Sequence, residues 1–285
     1  MPTTDTVRSV TERVSISIAG GVADVRLNRP EKLNALDQAM FHAIAAAGES
    51  LKAEPGVRVV VLSGEGRGFC AGLDFSMFQA MAGEETAPRA ENAGDDLMGT
   101  SGRLTHLGQQ VAWVWSELDV PVIAAVHGAC LGGGLQIALG ADIRIVAPDA
   151  SLSVLEIRWG ITPDMTASLT LPVLVGLDVA KELMWTGRTV SGEEAVRLGL
   201  ATRAAQDPRA AAFALAAELA GRNPDALRAG KRLLRDLSAR TAAEQLALER
   251  TEIASLLGSS NQIEAVSAYF EKRPATYADR RPIAP

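Results

Sequence analysis

The chain of 285 residues has few of the side chains that metal and thiol chemistry require. It contains two cysteines and three histidines, and neither cysteine has partners at a metal-ligand spacing. Cys70 and Cys130 stand among small residues, in GFCAG and GACLG. We therefore expect both to be buried, reduced thiols of a cytoplasmic protein, with a disulfide or metal role as the alternative.

Long apolar runs and an excess of basic charge are also absent. No apolar run reaches about 18 residues, and the N-terminal MPTTDTVRSVTERVSISI lacks the pattern of a secretory signal. The formal net charge of -6 gives no reason to expect a nucleic-acid partner. Hydrophobic residues make up 47% and charged residues 22%, which is typical of a globular protein of one or two domains with no membrane partner.

The first half of the chain alternates strand and helix patterns. Two runs with period-two alternation flank Gly20-Gly21 and predict a hairpin, and a helical pattern follows with Asp37 as N-cap. VRVVVLSGEG, PVIAAVHG and DIRIVA are short apolar runs typical of buried strands. Because helical stretches separate them, parallel pairing in an α/β fold is favoured.

The second half is predicted to be mainly helical. Met81 to Gly102 is small, acidic and poorly periodic, and we predict a surface loop there. Helical patterns dominate from about Ala167 to about Lys272, with N-caps at Ser191 and Asp207. We divide the chain into a core of residues 1–200 and a helical region of residues 201–285.

Two glycine-rich turns carry candidate binding groups. In HGACLGGGLQIALGAD a strand, three glycines and a helix follow one another, which leaves backbone N–H groups at the helix start for a ligand oxygen. Close packing of helix on strand is the alternative. The spacing fits neither the dinucleotide fingerprint nor the P-loop. GEGRGFCAGLDFSMF also follows a strand, and a second N–H near Leu73 would complete an oxyanion hole.

These turns and three further segments carry a resemblance to a known family. NRPEKLNAL, GFCAGLDFSMF, HGACLGGGLQIALGADIRI, LEIRWGITPD and SAYFEKRPATY follow one another between residues 14 and 277. In that order they resemble the crotonase (enoyl-CoA hydratase/isomerase) superfamily. The resemblance implies a crotonase-like ββα spiral core with a helical C-terminal region, an acyl-CoA thioester as substrate, no metal or other cofactor, and assembly as a homotrimer or homohexamer.

The resemblance also implies a set of site residues. The N–H groups of Leu73 and Gly133 would polarise the thioester carbonyl and stabilise an enolate. The residues expected near CoA are Lys32, Leu33, Ala35, Ala71, Gly72, Asp74, Gly132, Phe270 and Lys272. In this family the last two positions sometimes reach the site of a neighbouring subunit.

The acid–base positions depart from the hydratase pattern. Hydratases of the family resemble one another in having two glutamates, which here correspond to Gln136 and Glu156. An amide cannot transfer a proton at neutral pH, so Glu156 becomes the expected base, with a pKa raised by apolar surroundings. Asp164 resembles an aspartate of the family's dienoyl-CoA isomerases, although capping of a helix that begins near Met165 is the alternative.

We therefore expect an enzyme that moves a double bond by way of Glu156, with Asp164 and Gln136 beside it. Addition of water to a 2-enoyl-CoA and acyl-CoA binding without catalysis are the alternatives. The acyl pocket is expected to be shaped by the loop from Met81 to Gly102 and by Trp113, Leu155 and Trp159.

Overall fold

The structure, a computed structural model, describes residues 6–9, 12–81, 99–100, 102–235 and 237–279. The described strands are β1 (Thr6–Ser9), β2 (Val14–Ala19), β3 (Val22–Leu27), β4 (Val59–Gly64), β5 (Val122–Val126), β6 (Ala129–Leu131), β7 (Ile143–Val146), β8 (Ser151–Ser153), β9 (Val190–Ser191) and β10 (Arg203–Ala204). They form a seven-stranded sheet in the order β1-β2-β3-β4-β5-β7-β10 and a three-stranded sheet in the order β6-β8-β9.

Helices connect and cover these strands. The described α-helices are α1 (Gln38–Lys52), α2 (Phe75–Met81), α3 (Leu107–Glu117), α4 (Gly133–Leu139), α5 (Ala167–Val175), α6 (Leu177–Thr186), α7 (Gly192–Leu198), α8 (Pro208–Ala220), α9 (Pro224–Leu234), α10 (Ala242–Leu256) and α11 (Ser260–Glu271). Glu156–Trp159 forms a short 3-10 turn between β8 and α5. Among the described helices, none is long and apolar enough to cross a membrane.

The predicted hairpin and parallel strands are confirmed. β2 and β3 pair antiparallel around Gly20 and Gly21, whose φ values of 57° and 80° suit a two-residue turn that favours glycine. β3, β4, β5 and β7 pair parallel in sequence, with helical connections between them. The carboxyl ends of these strands therefore meet at one edge, where open α/β sheets bind ligands.

The core lies on both faces of the large sheet. Every residue of β4 and β5 is buried, as expected for short apolar runs between two layers. The larger core cluster includes residues of α1 and α3. On the opposite face, Ala212, Ala216 and Ala220 of α8 pack against the sheet, because their small side chains at successive turns allow close approach.

The helix starts are set by the predicted caps. Side-chain oxygens of Asp37, Ser191 and Asp207 accept backbone N–H groups at the starts of α1, α7 and α8. The boundary between residues 200 and 201 stays a prediction: β10 follows it but pairs with β7 in the large sheet. Of the predicted loop from Met81 to Gly102, residues 82–98 and 101 lie outside the described residues.

The two cysteines are buried and are not joined by a disulfide, as predicted. Cys70 and Cys130 lie opposite each other in a single parallel bridge between the two glycine-rich turns. Burial raises the pKa of both thiols, that of Cys70 to about 12. Neither is therefore ionised near neutral pH, and their contribution is to packing.

Candidate active site

Asn34 fixes the first segment of the site to the turn after β4. Its side-chain Nδ2 donates to the carbonyl oxygens of Glu65, Gly68 and Phe69 at 2.9–3.1 Å, and its Oδ1 accepts from the backbone N–H of Arg29. Asn34 is fully buried and has a φ of 57°, a left-handed conformation that asparagine tolerates better than most residues. This single amide therefore holds two loops in register.

A parallel bridge between Leu36 and Leu73 orients the first predicted donor. The N–H of Leu36 donates to Gly72 at 2.8 Å, and the N–H of Asp74 donates to Leu36 at 3.0 Å. In such a bridge the flanking residues make the hydrogen bonds, so the N–H of Leu73 points away from Leu36. Gly72, with a φ of 87°, brings this turn so close to the next that a Cβ on it would lie 2.7 Å from the Leu131 oxygen and 3.6 Å from the Gly133 nitrogen.

The glycine triplet allows close packing and begins a helix, while its binding of a ligand oxygen stays a prediction. A Cβ on Gly134 would collide with the Cys70 carbonyl, so this glycine is required for close packing. Gly133 is the first residue of α4, where the backbone N–H has no partner within the helix. Gly133 also lines a cavity together with Leu73. The two turns thus place both predicted oxyanion donors on one cavity wall.

Asp74 secures these turns by an ion pair. Arg29 Nη1 lies 2.6 Å from Asp74 Oδ2 and also donates to the carbonyl of Ala35. Burial raises the pKa of Asp74, but hydrogen bonds from Ser76 and the pair with Arg29 outweigh it and lower the pKa to about 2. Asp74, predicted near CoA, lines the cavity while its carboxylate holds the segments that carry Ala35 and Leu73.

Gln136 and Glu156 form a buried pair. Gln136 Oε1 accepts from the backbone N–H groups of Met165 and Ala167 at 2.9 and 3.3 Å, which turns Nε2 toward Glu156. Nε2 donates to Glu156 Oε1 at 2.6 Å. Glu156 Oε2 is buried and has no hydrogen-bond partner among the described residues. A Cβ on Gly132 would lie 3.4 Å from Glu156 Oε1, so the carboxylate sits against the glycine-rich turn.

The pKa of Glu156 is raised above its usual value, as predicted. Burial is the main cause and the nearby Asp164 carboxylate adds to the rise, while the hydrogen bond from Gln136 opposes it. A carboxylate in such surroundings is a better proton acceptor than one in water. Glu156 therefore has the properties of a general base.

Asp164 faces the same cavity as Glu156. The alternative that it caps the following helix is wrong. α5 begins at Ala167 after Thr166, whose side chain does not cap it. The side chain of Gln136 instead accepts the N–H groups of Met165 and Ala167. The structure thus brings Asp164 to the buried pair rather than to a helix end.

The cavity has a volume of about 630 Å³, in the range of small-molecule sites. Of the predicted residues it is lined by Lys32, Leu33, Ala35, Ala71, Gly72, Leu73, Asp74, Gly132, Gly133, Leu155, Glu156, Trp159 and Asp164. Phe75 and Trp159 meet edge to face, with ring centroids 5.8 Å apart. The lining combines charged residues, paired backbone turns and an apolar wall.

Four predicted residues do not line this cavity. Gln136 is one of them, and its amide is hydrogen-bonded to Glu156, which does line it. Trp113 is absent from the lining, and its side chain interacts with Glu117 on α3; the prediction that it shapes the pocket is wrong. Phe270 and Lys272 lie at the end of α11, exposed and apart from the cavity of their own chain. Their proposed contact with CoA in a neighbouring subunit, and the oligomer it requires, stay predictions.

The sequence reasoning missed several lining residues. Arg67, Phe41, His106 and Met165 all border the cavity. Arg67 stands within the second glycine-rich turn, where a cation beside backbone donors could have been noticed. Phe41 and His106 come from the starts of two helices that only the folded chain brings to the site.

The fold and the cavity describe an α/β protein in which two glycine-rich turns and a buried carboxylate line one cavity. A family model, Enoyl-CoA hydratase/isomerase, matches residues 17–280. The chain is 33% identical over 263 residues to a "Probable enoyl-CoA hydratase" of Bacillus subtilis (strain 168), covering 91% of this chain and 96% of that protein. It is also 33% identical over 259 residues to a mitochondrial Delta(3,5)-Delta(2,4)-dienoyl-CoA isomerase of Mus musculus, covering 88% and 77%.

Solved structures give the same result. A crystal structure of an enoyl-CoA hydratase from Polaromonas sp. JS666 superposes with a TM-score of 0.82 at 29% identity, over 93% of this chain and 99% of that one. The chain therefore belongs to the enoyl-CoA hydratase/isomerase family of the crotonase superfamily, and it is an enzyme of the hydratase/isomerase type.

Proposed function

We propose that this enzyme moves a carbon–carbon double bond within an enoyl-CoA thioester. The observation that carries the proposal is the pair of Gln136 and Glu156. Within the described residues, the buried carboxylate of Glu156 has no hydrogen-bond partner at Oε2, and the Gln136 amide donates to its Oε1. A base that removes and returns one proton needs only one such carboxylate, whereas two carboxylates that share water activation are not available at these positions.

The proposed reaction begins with binding of the thioester carbonyl oxygen by the N–H groups of Leu73 and Gly133. Glu156 Oε2 takes the proton from C2 of a 3-enoyl group, and the electron pair of that C–H bond moves into the thioester as a dienolate. The two N–H groups stabilise the charge on oxygen. Return of the proton at C4 gives the conjugated 2-enoyl thioester. These steps use only proton transfer and backbone hydrogen bonds, so the thioester is the only non-protein group they require.

Lys32 and Arg67 support a CoA ester as the bound molecule. Both line the cavity, and their cationic side chains can pair with the phosphates that such a ligand carries at one end. The apolar wall that includes Phe75, Leu155 and Trp159 then suits the acyl chain. Binding of CoA at Lys32 and Arg67 is part of the proposal.

Asp164 supports a 3,5-dienoyl-CoA as a second candidate substrate. Its carboxylate acts on the pKa of Glu156 across the same cavity, so two groups are placed to accept and return protons at separated carbons. The mouse relative is named for that reaction. With this substrate Glu156 and Asp164 would exchange protons with opposite ends of the conjugated system.

The test is incubation of the purified chain with 2-enoyl-, 3-enoyl- and 3,5-dienoyl-CoA. With the 3-enoyl and 3,5-dienoyl esters, a gain or shift of the absorbance of the conjugated thioester measures isomerisation. With the 2-enoyl ester, loss of that absorbance measures hydration. Glu156→Gln is expected to reduce isomerisation by about 10²–10⁴-fold, and Glu249→Gln on exposed α10 serves as the matched control. Isomerisation that persists in Glu156→Gln would overturn the base assignment. Hydration without isomerisation would replace the proposed reaction.

A further inference from the structure

His106 is a buried histidine on the cavity wall that the proposed reaction does not use. Only 8% of its surface is exposed, and it lines the cavity with Phe41 and Phe75. It is the N-cap of α3: its Nδ1 accepts the N–H of Gln109 at 3.3 Å, and the Gln109 side chain accepts the N–H of His106 in return. One ring nitrogen is therefore committed to the helix start.

This cap determines which nitrogen of the neutral ring carries the proton. Because Nδ1 accepts a hydrogen bond, the hydrogen must be on Nε2, which makes Nε2 a donor. Within the part of the chain that the structure describes, no hydrogen bond from Nε2 is formed. A donor left without an acceptor is unfavourable once a ligand excludes water from the cavity, so Nε2 favours a ligand that brings an oxygen to it.

The packing of α1 and α3 places His106 beside Phe41 in the cavity. Gly48 meets Val114 and Lys52 pairs with Glu117 at 2.7 Å, so contacts advance in the same direction along both helices. The start of α3, and with it His106, therefore lies beside Phe41. Lys32, Leu36 and Phe41 all line the cavity, and Leu36 bridges Leu73. Because Lys32 and Phe41 flank Leu36 in the chain, the proposed acyl-CoA substrate would lie with its CoA on the side of Lys32 and its acyl chain on the side of Phe41.

We infer that His106 selects acyl groups that carry a hydrogen-bond-accepting oxygen, such as a carbonyl or hydroxyl group, beyond the reacting carbons. Nε2 donates to that oxygen while Phe41 and Phe75 contact the adjoining methylenes. This inference rests on the proposed acyl-CoA substrate and narrows it from plain alkyl chains to oxygenated ones. His106 touches the substrate but takes no part in proton transfer.

The experiment measures binding of saturated thioesters, which cannot isomerise. Octanoyl-CoA is compared by calorimetry with its analogues that carry an oxo group at C5, C6 or C7. In the wild-type chain one analogue is expected to bind about tenfold more tightly than octanoyl-CoA, the effect of one hydrogen bond in a desolvated site. His106→Phe keeps an aromatic ring but has no hydrogen-bond donor. In this variant the affinity for that oxo analogue should become equal to the affinity for octanoyl-CoA.

Gln109→Ala is the matched control. It removes the reciprocal bond of the cap without touching the cavity, so the preference for the oxo analogue should remain. The inference is overturned if octanoyl-CoA binds most tightly in the wild type, or if the preference survives in His106→Phe. Loss of affinity for free CoA in His106→Phe would also overturn it, because it would place His106 against the pantetheine.

The two proposals fail in different ways. Selective binding of an oxo analogue together with no turnover of any enoyl ester would reject the proposed isomerisation and keep the role of His106. Turnover of plain 3-enoyl-CoA with no preference among the saturated esters would reject the role of His106 and keep the isomerisation.

Discussion

Gln136 Nε2 lies 2.6 Å from Glu156 Oε1, and the orientation of this amide is fixed from its other side. Two backbone N–H groups, those of Met165 and Ala167, donate to Gln136 Oε1, and an amide nitrogen could not accept them. The side-chain amide of Gln136 therefore presents Nε2, and not Oε1, to the carboxylate of Glu156. A donor stabilises the ionised carboxylate, which is the form a general base requires.

Gln136→Glu is expected to move the acid limb of the pH–rate profile to higher pH. The new carboxylate would accept from Met165 and Ala167 with one oxygen and place its other oxygen beside Glu156. Two carboxylates at that distance share a proton, so the pKa of the pair rises. Activity, which requires ionised Glu156, would then appear about one pH unit or more higher, as measured by kcat/KM for isomerisation between pH 5 and 9.

Gln262→Glu on α11 is the control, since it adds the same charge far from the cavity and retains the oxygen that accepts from Gly258. An unchanged acid limb in Gln136→Glu would contradict the donor role of Gln136. Water addition by the same variant would show that the second carboxylate is what separates this site from a hydratase.

Glu156→Gln should make the protein more stable while it makes it less active. Burial raises the pKa of Glu156 in the folded state, so the folded state binds this proton more tightly than the unfolded chain does. Ionisation of Glu156 therefore costs stability above the folded pKa, and this cost disappears below the unfolded value of 4.5. The amide introduced by this substitution would keep an oxygen that accepts from Gln136 and would carry no charge.

Urea unfolding at several pH values checks this expectation. The free energy of unfolding of Glu156→Gln should exceed that of the wild type most at pH 8, and the difference should shrink as the pH falls toward 4.5. Glu249→Gln should show no comparable trend. A variant that is less stable than the wild type at pH 8 would contradict the destabilising burial of Glu156.

The sequence predicted the parts of the fold that depend on local pattern. The hairpin turn at Gly20-Gly21 is specified by the two alternating runs that directly flank it. The side chains of Asp37 and Asp207 cap their helices by contacts within a single helical turn. The glycine-rich turns were found because a strand, small residues and a helix are contiguous in the chain. The raised pKa of Glu156 followed from its apolar neighbours together with the family resemblance.

Long-range contacts limited the rest. Asp164 was considered as a helix cap because a helix was expected to begin near Met165. The N–H of Met165 instead donates to the side chain of Gln136, which precedes Met165 by 29 residues, and the helix begins later. Trp113 was predicted to shape the pocket, but its side chain interacts with Glu117 on the same helix. His106 gave no signal, because its position depends on the packing of α3 against α1.

Gly72→Ala is expected to lower the isomerisation rate by about 10²–10³-fold, the effect of losing one oxyanion donor. The new Cβ would lie 2.7 Å from the Leu131 oxygen, at a φ of 87° that disfavours alanine. Leu73 would then be displaced relative to Gly133, and kcat should fall more than KM rises. Gly56→Ala is the control, since nothing lies within 4 Å of its Cβ position. A Gly72→Ala variant with wild-type kcat would contradict the placement of the Leu73 donor.

Asn34→Asp should destabilise the protein by about 3 kcal/mol or more, because a carboxylate would face three carbonyl oxygens that now accept from one amide. Every one of those carbonyls, at Glu65, Gly68 and Phe69, belongs to the turn that leads to Leu73. Activity per folded molecule should therefore fall as well. Urea unfolding at pH 7 measures the first effect and isomerisation of 3-enoyl-CoA the second.

Asn28→Asp supplies the comparison for Asn34→Asp, because Asn28 is exposed and its amide donates to the backbone carbonyl oxygen of Glu12 at 3.3 Å. That variant should change the free energy of unfolding by about 0.5 kcal/mol or less. At the exposed Asn28, water can replace a lost hydrogen-bond partner, whereas at the buried Asn34 it cannot. Equal losses in the two variants would mean that the loops bearing Leu36 and Leu73 are held by the Arg29–Asp74 ion pair instead.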